Sequence, residues 1–475
     1  MANGTVVQKS DVGIIGLATM GANLALNIES KGFTVSVYNR TADRTRLFVE
    51  QRARGKNIHA YFSLEDFVKS LDKPRRVILM VKAGEAVDEF SEQLATWLEP
   101  GDVIVDGGNS HFMDTERRVK TFGERGIHFM GVGISGGEEG ALKGPCIMSG
   151  GPPEAEECMR PIFLKIAAKV EGDACYGYMG PGGAGHFVKM VHNGIEYAIM
   201  QAIAEVYDIF TTLLGLGAAA ISEIFAEWNA GELNSFLLEI ASEVLAKVDD
   251  ETGRPLVELI QDKAGQKGTG KWTSQVAMDL GVPIPTIDAA VSARNVSALK
   301  EERVMLSRIV KCSMEEGGVD GSFLKSIARP SLYCTMLTAF AQGMSLISAA
   351  SRKFGYATSL EEVARIWRGG CIIRARLLEM IRGIYSRKPS LTNLILDGSY
   401  AKELSDRHTE WRHFVSTAKV HGIPCPAISS ALDYFDSLRR ERLPANLIQA
   451  LRDRFGAHGY ERVDKPGTFH TEWRA

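Results

Sequence analysis

The amino-acid sequence predicts an α/β domain with a mainly parallel sheet, then a large all-helical domain and a short C-terminal tail. We place these parts at residues 1–182, 183–442 and 443–475. Apolar runs typical of buried strands alternate with helical patterns in the first part, which indicates a doubly wound sheet. The periodicity then becomes helical and stays so to about Arg442. The tail is polar and too small to bury its own core, so we expect it to pack on a partner subunit.

The composition is typical of a soluble globular protein. The 475 residues are 45% hydrophobic and 24% charged, and the net charge of −3 gives no basic field that favours nucleic acid or an anionic membrane. The 7 cysteines are scattered without a Cys-x-x-Cys pair, which favours a reducing compartment. We see no signal peptide at the N-terminus and no apolar run long enough to span a bilayer, so we expect a cytoplasmic protein.

The first element is a strand, Val12–Ile15, followed by a glycine turn and a helical run, Ala22–Ser30. The spacing is that of the G-x-G-x-x-G dinucleotide fingerprint, with Ala18 in place of the second glycine. This turn would hold a pyrophosphate on the helix amides with Gly16, Leu17, Ala18, Thr19, Met20 and Gly21. Glycines are common in such turns, so the match alone is a weak signal.

The second strand, Phe33–Tyr38, strengthens that interpretation, because its end is where an acidic residue binds the ribose 2′-hydroxyl of NAD. Asn39, Arg40 and Thr41 stand there instead. A guanidinium suits a 2′-phosphate, so the sequence predicts NADP rather than NAD. The alternative is that Arg40 is an exposed loop arginine without a ligand.

Four further strands carry polar residues at their ends, where ligands bind in a doubly wound sheet. The predicted strands are Arg76–Val81, Asp102–Asp106, Ile127–Val132 and Cys146–Met148. Their loops contain Lys82-Ala83, Asn109-Ser110 and Ser135-Gly136-Gly137. Each loop is unremarkable alone, but their succession on one sheet edge favours a ligand site.

One predicted helix concentrates polar side chains on one face. It opens near Gly185 and should continue to about Leu214. Positions i, i+3, i+4 and i+7 are Lys189, His192, Asn193 and Glu196. These groups are costly on a largely apolar helix unless something polar meets them, which indicates a site. The alternative is a Lys–Glu pair on a solvated face.

The helical region also shows signs of an internal duplication. Trp228-Asn229-Ala230-Gly231 recurs as Trp367-Arg368-Gly369-Gly370 (367 − 228 = 139). Leu237-Leu238-Glu239 recurs as Leu377-Leu378-Glu379 (378 − 238 = 140). Between the copies, 264–273 is rich in lysine, glycine and hydroxyl groups that can hold an anion, although it lacks phosphate-loop spacing.

Taken together, these stretches resemble the decarboxylating 6-phosphogluconate dehydrogenases, a family of the β-hydroxyacid dehydrogenase superfamily. The resemblance runs from about Val12 to Val463. It is carried by Gly16–Gly21 with Asn39–Thr41, Asp106–Ser110 with Ser135–Gly140, Lys189–Tyr197, and Gln266–Thr273 with Arg452–His458. It implies a Rossmann-type coenzyme domain, an all-α domain containing a duplication, and a tail that reaches the second subunit of a homodimer.

The resemblance also implies the site residues. NADP would be held by Gly16, Leu17, Ala18, Thr19, Met20, Gly21, Asn39, Arg40, Thr41, Val81, Lys82, Ala83 and Asn109. The substrate 6-phosphogluconate would be bound by Asn109, Ser135, Gly136, Gly137, His192, Asn193, Tyr197, Lys267, Thr269 and Arg294, with Arg452 and His458 reaching it from the neighbouring chain.

The implied reaction is the NADP-dependent oxidative decarboxylation of the pentose phosphate pathway. Lys189 would be the general base for the C3 hydroxyl and then an acid, and Glu196 would be the general acid that protonates C1 of ribulose 5-phosphate. A lysine can act as a base only when neutral, and burial lowers a lysine pKa toward that condition. No metal-ligand spacing such as H-E-x-x-H is present, so we expect no metal.

Two other functions are compatible with parts of the sequence. A β-hydroxyacid dehydrogenase acting on hydroxyisobutyrate or glyoxylate would share the cofactor turn and a helix lysine, but would not need the phosphate-binding cations. An inactive NADP-binding regulator would need neither Lys189 nor Glu196.

Overall fold

The computed structural model describes residues 9–310 and 318–473, so Cys312 lies outside the described residues. The first unit is a sheet with helices on both faces. Its elements are β1 (Val12–Ile15), α1 (Thr19–Ser30), β2 (Val35–Tyr38), α2 (Ala42–Arg52), β3 (Ile58–Ala60), α3 (Leu64–Lys69), β4 (Arg76–Leu79), α4 (Glu85–Ala95), β5 (Val103–Asp106), α5 (Phe112–Gly123), β6 (His128–Ser135), α6 (Gly137–Lys143), β7 (Cys146–Gly150), α7 (Pro153–Ile166), β8 (Lys169–Val170), β9 (Asp173–Ala174) and β10 (Tyr176–Gly180).

The main sheet has the strand order β10-β7-β6-β5-β4-β1-β2-β3. The strand order changes direction between β1 and β4: β2 and β3 follow on one side of β1, and β4 and β5 follow on the other. All of these pairs are parallel. Ligands bind at such a switch point because the loops on either side diverge there. The doubly wound α/β prediction is confirmed, with one difference: β7 pairs antiparallel with β6.

Most predicted strands are present with shifted ends. β2 begins at Val35 rather than Phe33, and β4 ends at Leu79 rather than Val81. β6 continues to Ser135 rather than ending at Val132, because its pairing with β7 extends to Ser135 and Cys146. Ser135 therefore lies on a paired strand rather than in a loop, and the sheet fixes its backbone.

The second unit is all-helical, as predicted, and the chain ends in a small helix–hairpin tail. Its helices are α8 (Ala184–Leu214), α9 (Ala218–Asn229), α10 (Phe236–Ala246), α11 (Leu256–Leu259), α12 (Thr269–Asp279), α13 (Pro285–Ala298), α14 (Lys300–Ile309), α15 (Gly321–Phe354), α16 (Leu360–Ile366), α17 (Leu377–Arg387), a 3-10 turn (Leu394–Leu396), α18 (Gly398–Val420) and α19 (Pro426–Leu438). The tail contains α20 (Ala445–Gly456), β11 (Tyr460–Glu461) and β12 (Thr468–Phe469).

The helical unit repeats a long helix followed by two shorter ones, as α8-α9-α10 and α15-α16-α17. The two copies meet through a matched pair of backbone hydrogen bonds, Phe236 N to Arg374 O (3.0 Å) and Arg376 N to Asn234 O (2.9 Å). Donors and acceptors are related by the same offset (376 − 236 = 374 − 234 = 140), so equivalent residues face each other across a local twofold axis. This geometry supports the duplication predicted from the tryptophan motifs.

Helix α15 is long and apolar enough to cross a membrane by length and composition, so the expectation that no apolar run reaches that length was wrong. Of its most apolar window, 89% is buried inside the fold. It packs against α8 and α18, which explains its apolar surface as the centre of a helical core.

Helix α8 is anchored at its far end by a buried carboxylate. Glu205 accepts hydrogen bonds from Ala427 N (2.8 Å) and Ile428 N (2.9 Å) in the first turn of α19. Burial raises the pKa of Glu205 to about 7, although the two amide donors favour its ionised form. The contact caps α19 and fixes α8, the helix that carries the predicted polar face.

Candidate active site

The turn between β1 and α1 is closely packed, which explains its glycines. Gly16 has φ +99°, and a Cβ there would lie 2.4 Å from Met80 O. A Cβ on Gly21 would lie 1.9 Å from Gly16 O. Ala18 precedes α1 without a side-chain cap, so the first amides of α1 stay available to an anionic ligand. Asn39 Oδ1 accepts from Leu17 N (3.1 Å) and ties the turn to the end of β2.

A cavity of about 370 Å³ lies beside this turn. Its lining residues are Gly16, Ala18, Asn39, Arg40, Thr41, Arg44, Met80, Val81, Lys82, Ala86 and Phe90. The structure thus brings together seven of the predicted cofactor residues. The predicted residues Leu17, Thr19, Gly21 and Ala83 do not line this cavity, and Met20 and Asn109 line the neighbouring one.

Arg44 lines the same cavity, although it was not among the residues predicted from the sequence. It lies in the first turn of α2, where the positive end of the helix disfavours a cation unless an anion binds. In the described part of the chain neither Arg40 nor Arg44 has a carboxylate partner, because nearby Asp43 pairs with Arg46 (2.7 Å). Thr41 caps α2 without a side-chain hydrogen bond. Two unpaired guanidinium groups and free helix amides fit a dinucleotide with an additional phosphate.

A second cavity, of about 720 Å³, lies between the sheet edge and α8. Its lining residues are Met20, Asn109, Ile134, Ser135, Gly136, Gly137, Lys189, Asn193, Glu196, Tyr197, Gly265, Gln266, Lys267, Thr269, Arg294 and Ile372. Residues that are distant in the sequence but were predicted to share one site therefore meet here. Ile134 and Ile372 also line the cavity but could not be recognised from the sequence, because isolated apolar residues carry no distinctive signal.

Lys189 is 6% exposed and points from α8 into this cavity. Strand β6 approaches the helix closely here, since a Cβ on Gly133 would lie 2.4 Å from the Lys189 Cβ. Burial lowers the pKa of Lys189, an effect that the carboxylate of Glu196 partly opposes. The environment therefore favours the neutral amine at a lower pH than in water.

His192 lies behind the cavity wall, fully buried, rather than among the lining residues. Its Nε2 lies 3.1 Å from Ser135 Oγ, and its Nδ1 lies 2.9 Å from Asn193 Oδ1. Burial and the nearby Lys189 hold the pKa of His192 well below its usual value, so the imidazole is neutral. If the neutral ring carries its proton on Nδ1, that N–H donates to Asn193 Oδ1. Nε2 can then accept a hydrogen bond from the Ser135 hydroxyl.

Glu196 also faces the cavity, from the same helix as Lys189. Burial raises its pKa, while Lys189 and Arg294 act in the opposite direction. The Arg294 guanidinium carbon lies 3.7 Å from the centre of the Tyr197 ring, and Arg294 also donates to Gly265 O (2.7 Å). The pair therefore holds a positive charge at the rim of the cavity.

Helix α12 begins at the cavity with Thr269, whose Oγ1 accepts from Asn193 Nδ2 (3.3 Å). Helices α8 and α12 approach each other closely at Gly194, since a Cβ there would lie 2.8 Å from the Thr273 side chain. The residue before α12, Gly268, has no side chain to cap its amides, and Lys267 precedes it. A helix N-terminus beside a lysine suits an anionic group such as a phosphate.

The structure of one chain does not bring Arg452 or His458 to this cavity. Arg452 is exposed and donates to Gln449 of its own helix (3.1 Å). The apolar side chains of α20 are also exposed, with Leu447 and Ile448 each at 61% and Phe455 at 75%. An uncovered apolar helix face is costly in water, which is consistent with a tail that packs on a second chain.

Comparison with known protein families gives a match over almost the whole chain. Residues 11–180 match the NAD binding domain of 6-phosphogluconate dehydrogenase, and residues 185–473 match the C-terminal domain of 6-phosphogluconate dehydrogenase. The chain belongs to the 6-phosphogluconate dehydrogenase family.

Relatives in the 6-phosphogluconate dehydrogenase family are similar over almost their full length. The chain is 54% identical to a decarboxylating enzyme of Synechococcus elongatus, covering 97% of this chain and 98% of the relative. It is 52% identical to the NADP(+)-dependent decarboxylating enzyme of Bacillus subtilis, covering 98% and 100%. The Plasmodium falciparum 6-phosphogluconate dehydrogenase superposes with a TM-score of 0.94 and is 42% identical, covering 98% of this chain and 100% of that chain. That enzyme has been solved in its apo form, in complex with its cofactor NADP+ and in complex with its substrate 6-phosphogluconate.

Within residues 9–310 and 318–473, no group of three or more His, Cys, Asp or Glu side chains is arranged to hold a metal ion.

Proposed function

We propose that this protein is an NADP-dependent 6-phosphogluconate dehydrogenase that converts 6-phospho-D-gluconate to D-ribulose 5-phosphate and carbon dioxide. The observation that carries the proposal is the 720 Å³ cavity, which places Lys189 and Glu196 together with the cations Lys267 and Arg294. An oxidisable sugar acid needs an acid–base pair, and a phosphate needs the cations.

NADP+ would be held by the turn residues of β1 and α1 and by the two guanidinium groups of Arg40 and Arg44. When bound, NADP+ accepts the hydride that leaves C3 of the substrate. Side chains at Gly16 and Gly21 would collide with the backbone of Met80 and of the turn itself, so the turn keeps this shape only with glycine there, and Asn39 ties it to β2.

Lys189 carries out the first proton transfer. Its neutral amine removes the proton of the C3 hydroxyl while the hydride leaves the same carbon, which yields a 3-keto acid and an ammonium group on Lys189. Ser135 helps to orient the sugar: because its hydroxyl proton is donated to His192, the Ser135 oxygen can accept a hydrogen bond from a substrate hydroxyl. His192 and Asn193 thus act by fixing Ser135 and the cavity wall.

Decarboxylation follows from the charge left on Lys189. Its ammonium group hydrogen-bonds the C3 carbonyl oxygen, so the electron pair of the breaking C1–C2 bond can move into an enediol as carbon dioxide leaves. Glu196 then protonates the carbon that becomes C1 of the product, and Lys189 takes back the proton needed to form the ketone. One lysine and one carboxylic acid on the same helix face are sufficient for these transfers.

The protein is proposed to act as a homodimer in which each tail completes the other subunit's site. In this arrangement residues 1–182 bind NADP, 183–442 bind substrate and dimerise, and 443–475 cross to the partner. The exposed apolar face of α20 supports this proposal. Arg452 and His458 would then join Lys267 and Arg294 around the phosphate. The six cysteines of the described part are free, which supports a cytoplasmic location.

Replacing Arg452 with alanine should raise the KM for 6-phosphogluconate about 10- to 100-fold, because a charged hydrogen bond to the phosphate is lost. The KM for NADP+ should change little. Steady-state kinetics of purified Arg452→Ala would measure both. Arg454→Ala, an exposed arginine on the same helix, is the matched control. An unchanged substrate KM in Arg452→Ala would exclude the role of the tail in phosphate binding.

Replacing Arg40 or Arg44 with alanine should raise the KM for NADP+ by about tenfold or more, since each variant removes one cation from the 2′-phosphate. Activity with NAD+, which lacks that phosphate, should change little. Arg46→Ala is the control, because Arg46 already pairs with Asp43. If the affinities for NADP+ and NAD+ fell by the same factor, these arginines would not bind the 2′-phosphate.

The proposed function is tested by assaying the purified chain with NADP+ and three compounds: 6-phosphogluconate, gluconate and 3-hydroxyisobutyrate. We expect NADPH formation with 6-phosphogluconate, accompanied by an equal amount of carbon dioxide. Preference for 3-hydroxyisobutyrate without carbon dioxide release would favour a different β-hydroxyacid dehydrogenase. Binding of NADP+ without turnover of any compound would favour a regulator.

A further inference from the structure

The folded end of the tail is organised around one carboxylate, Asp453 on α20. Its Oδ1 accepts hydrogen bonds from Gly459 N (2.9 Å) and His470 Nδ1 (2.9 Å). Its Oδ2 accepts from Thr471 N (3.1 Å) and Trp473 Nε1 (2.7 Å). Four donors from the following twenty residues therefore converge on one side chain.

Asp453 is 1% exposed and is the one residue of α20 that is buried. A buried carboxylate is costly unless hydrogen bonds replace its water. Burial alone would raise the pKa of Asp453, but the hydrogen bonds from His470 and Trp473 hold it well below the usual range. The tail therefore has a charged centre in place of an apolar core, which suits a segment too short to build one.

The same network fixes the backbone on both sides of His458. Ala457, with φ +48°, ends α20 and donates to Asp453 O (2.9 Å). Gly459, with φ +73°, donates to the Asp453 carboxylate. The His458 ring lies against Phe455, with ring centres 5.8 Å apart. His458 is thus held between two backbone groups that both bind Asp453.

Arg452 is connected to this network through Gln449. The Gln449 amide donates to Gly459 O (2.6 Å) and accepts from Arg452 Nη1 (3.1 Å). Gly459 is therefore bound from two sides, by Asp453 through its N–H and by Gln449 through its carbonyl. Arg452 and His458, which differ in sequence position by six, are linked into one local structure within a single chain.

We infer that Asp453 is a positioning residue that presets Arg452 and His458 in one arrangement before the tail meets the second subunit. This inference rests on the proposed function, in which both side chains reach the substrate phosphate of the neighbouring site. If Arg452 and His458 are already ordered in the free tail, less conformational entropy is lost when they bind the phosphate. Both side chains can then bind the phosphate at the same time. Asp453 itself does not touch the substrate.

The test is Asp453→Asn, which keeps the shape of the side chain but replaces one acceptor oxygen by a donor. We expect the KM for 6-phosphogluconate to rise about tenfold or more, with little change in kcat or in the KM for NADP+. Asp464→Asn is the matched control, because Asp464 lies exposed in the same tail and pairs only with Arg462 in the described structure. An unchanged substrate KM in Asp453→Asn would overturn the inference.

Mixed dimers separate this inference from the proposed exchange of tails. A Lys189→Met chain and an Asp453→Asn chain, carrying different affinity tags, are produced together and the mixed dimer is purified. If tails act across the interface, one site combines an intact Lys189 with an intact tail, and its substrate KM returns to the wild-type value. If the KM stays raised, the tail acts on its own chain: the exchange is then wrong, while the positioning role of Asp453 stands.

A milder variant covers the case in which Asp453→Asn fails to fold. Trp473→Phe keeps an aromatic ring and removes one donor to Asp453. It should raise the substrate KM by a smaller factor than Asp453→Asn and leave the KM for NADP+ unchanged. If Asp453→Asn fails to fold, a soluble Trp473→Phe dimer with the wild-type substrate KM would overturn the positioning role.

Discussion

Lys189→Met is expected to lower kcat with 6-phosphogluconate by about 10²- to 10⁴-fold, because the variant has no amine to remove the C3 hydroxyl proton. Methionine fills most of the same space, so the contact of α8 with β6 should survive. The affinity for NADP+ should be close to that of the wild type, since the cofactor cavity does not include Lys189. Steady-state turnover and NADP+ binding by fluorescence titration measure the two quantities.

Lys271→Met is the matched control for this prediction, because Lys271 is an exposed lysine on α12. It should have wild-type kcat. Turnover of Lys189→Met within about tenfold of the wild type would remove Lys189 as the base, since general-base contributions exceed that factor.

Glu196→Gln should lower kcat by about 10²-fold or more and also change the shape of its pH profile. Burial raises the pKa of Glu196, so its acid form persists to higher pH than that of an ordinary glutamate. Activity that depends on this acid form is lost as the pH rises through that pKa. Burial lowers the pKa of Lys189, and activity that depends on the neutral amine is lost as the pH falls. The wild-type profile should therefore be bell-shaped.

Glutamine cannot donate or lose a proton in this range, so the decline of kcat at high pH should disappear in Glu196→Gln. What remains should be a single rise with pH as Lys189 becomes neutral. Glu223→Gln, which changes an exposed glutamate on α9, should keep the bell shape. A decline at high pH that survives in Glu196→Gln would assign the acid to another group.

The parts of the site that depend on local spacing could be predicted from the sequence. The polar face of α8 follows from helical periodicity, and the cofactor turn follows from a strand, a glycine spacing and a helix in succession. Arg40 was predicted because the residue at the end of β2 has a known position relative to the ribose. These inferences need only a few consecutive residues and regular backbone geometry.

The parts that depend on three-dimensional packing could not be predicted. Arg44 lines the cofactor cavity without a carboxylate partner among the described residues, because Asp43 pairs with Arg46 instead. His192 shares the polar face of α8, yet it lies behind the cavity because β6 continues to Ser135 and covers it. Asp453 stands between two arginines in the sequence, which gives no indication that four donors from later residues surround it.

The proposed mechanism requires that the amine of Lys189 is uncharged when the sugar acid is oxidised. Competitive acetylation of the native enzyme over a range of pH, followed by peptide mass spectrometry, measures the titration of that amine directly, with exposed Lys120 as the reagent control. We expect Lys189 to titrate below 10.5, the ordinary lysine value, because burial lowers its pKa. A midpoint at or above 10.5 would contradict it, since the base would then be protonated at the pH of the reaction.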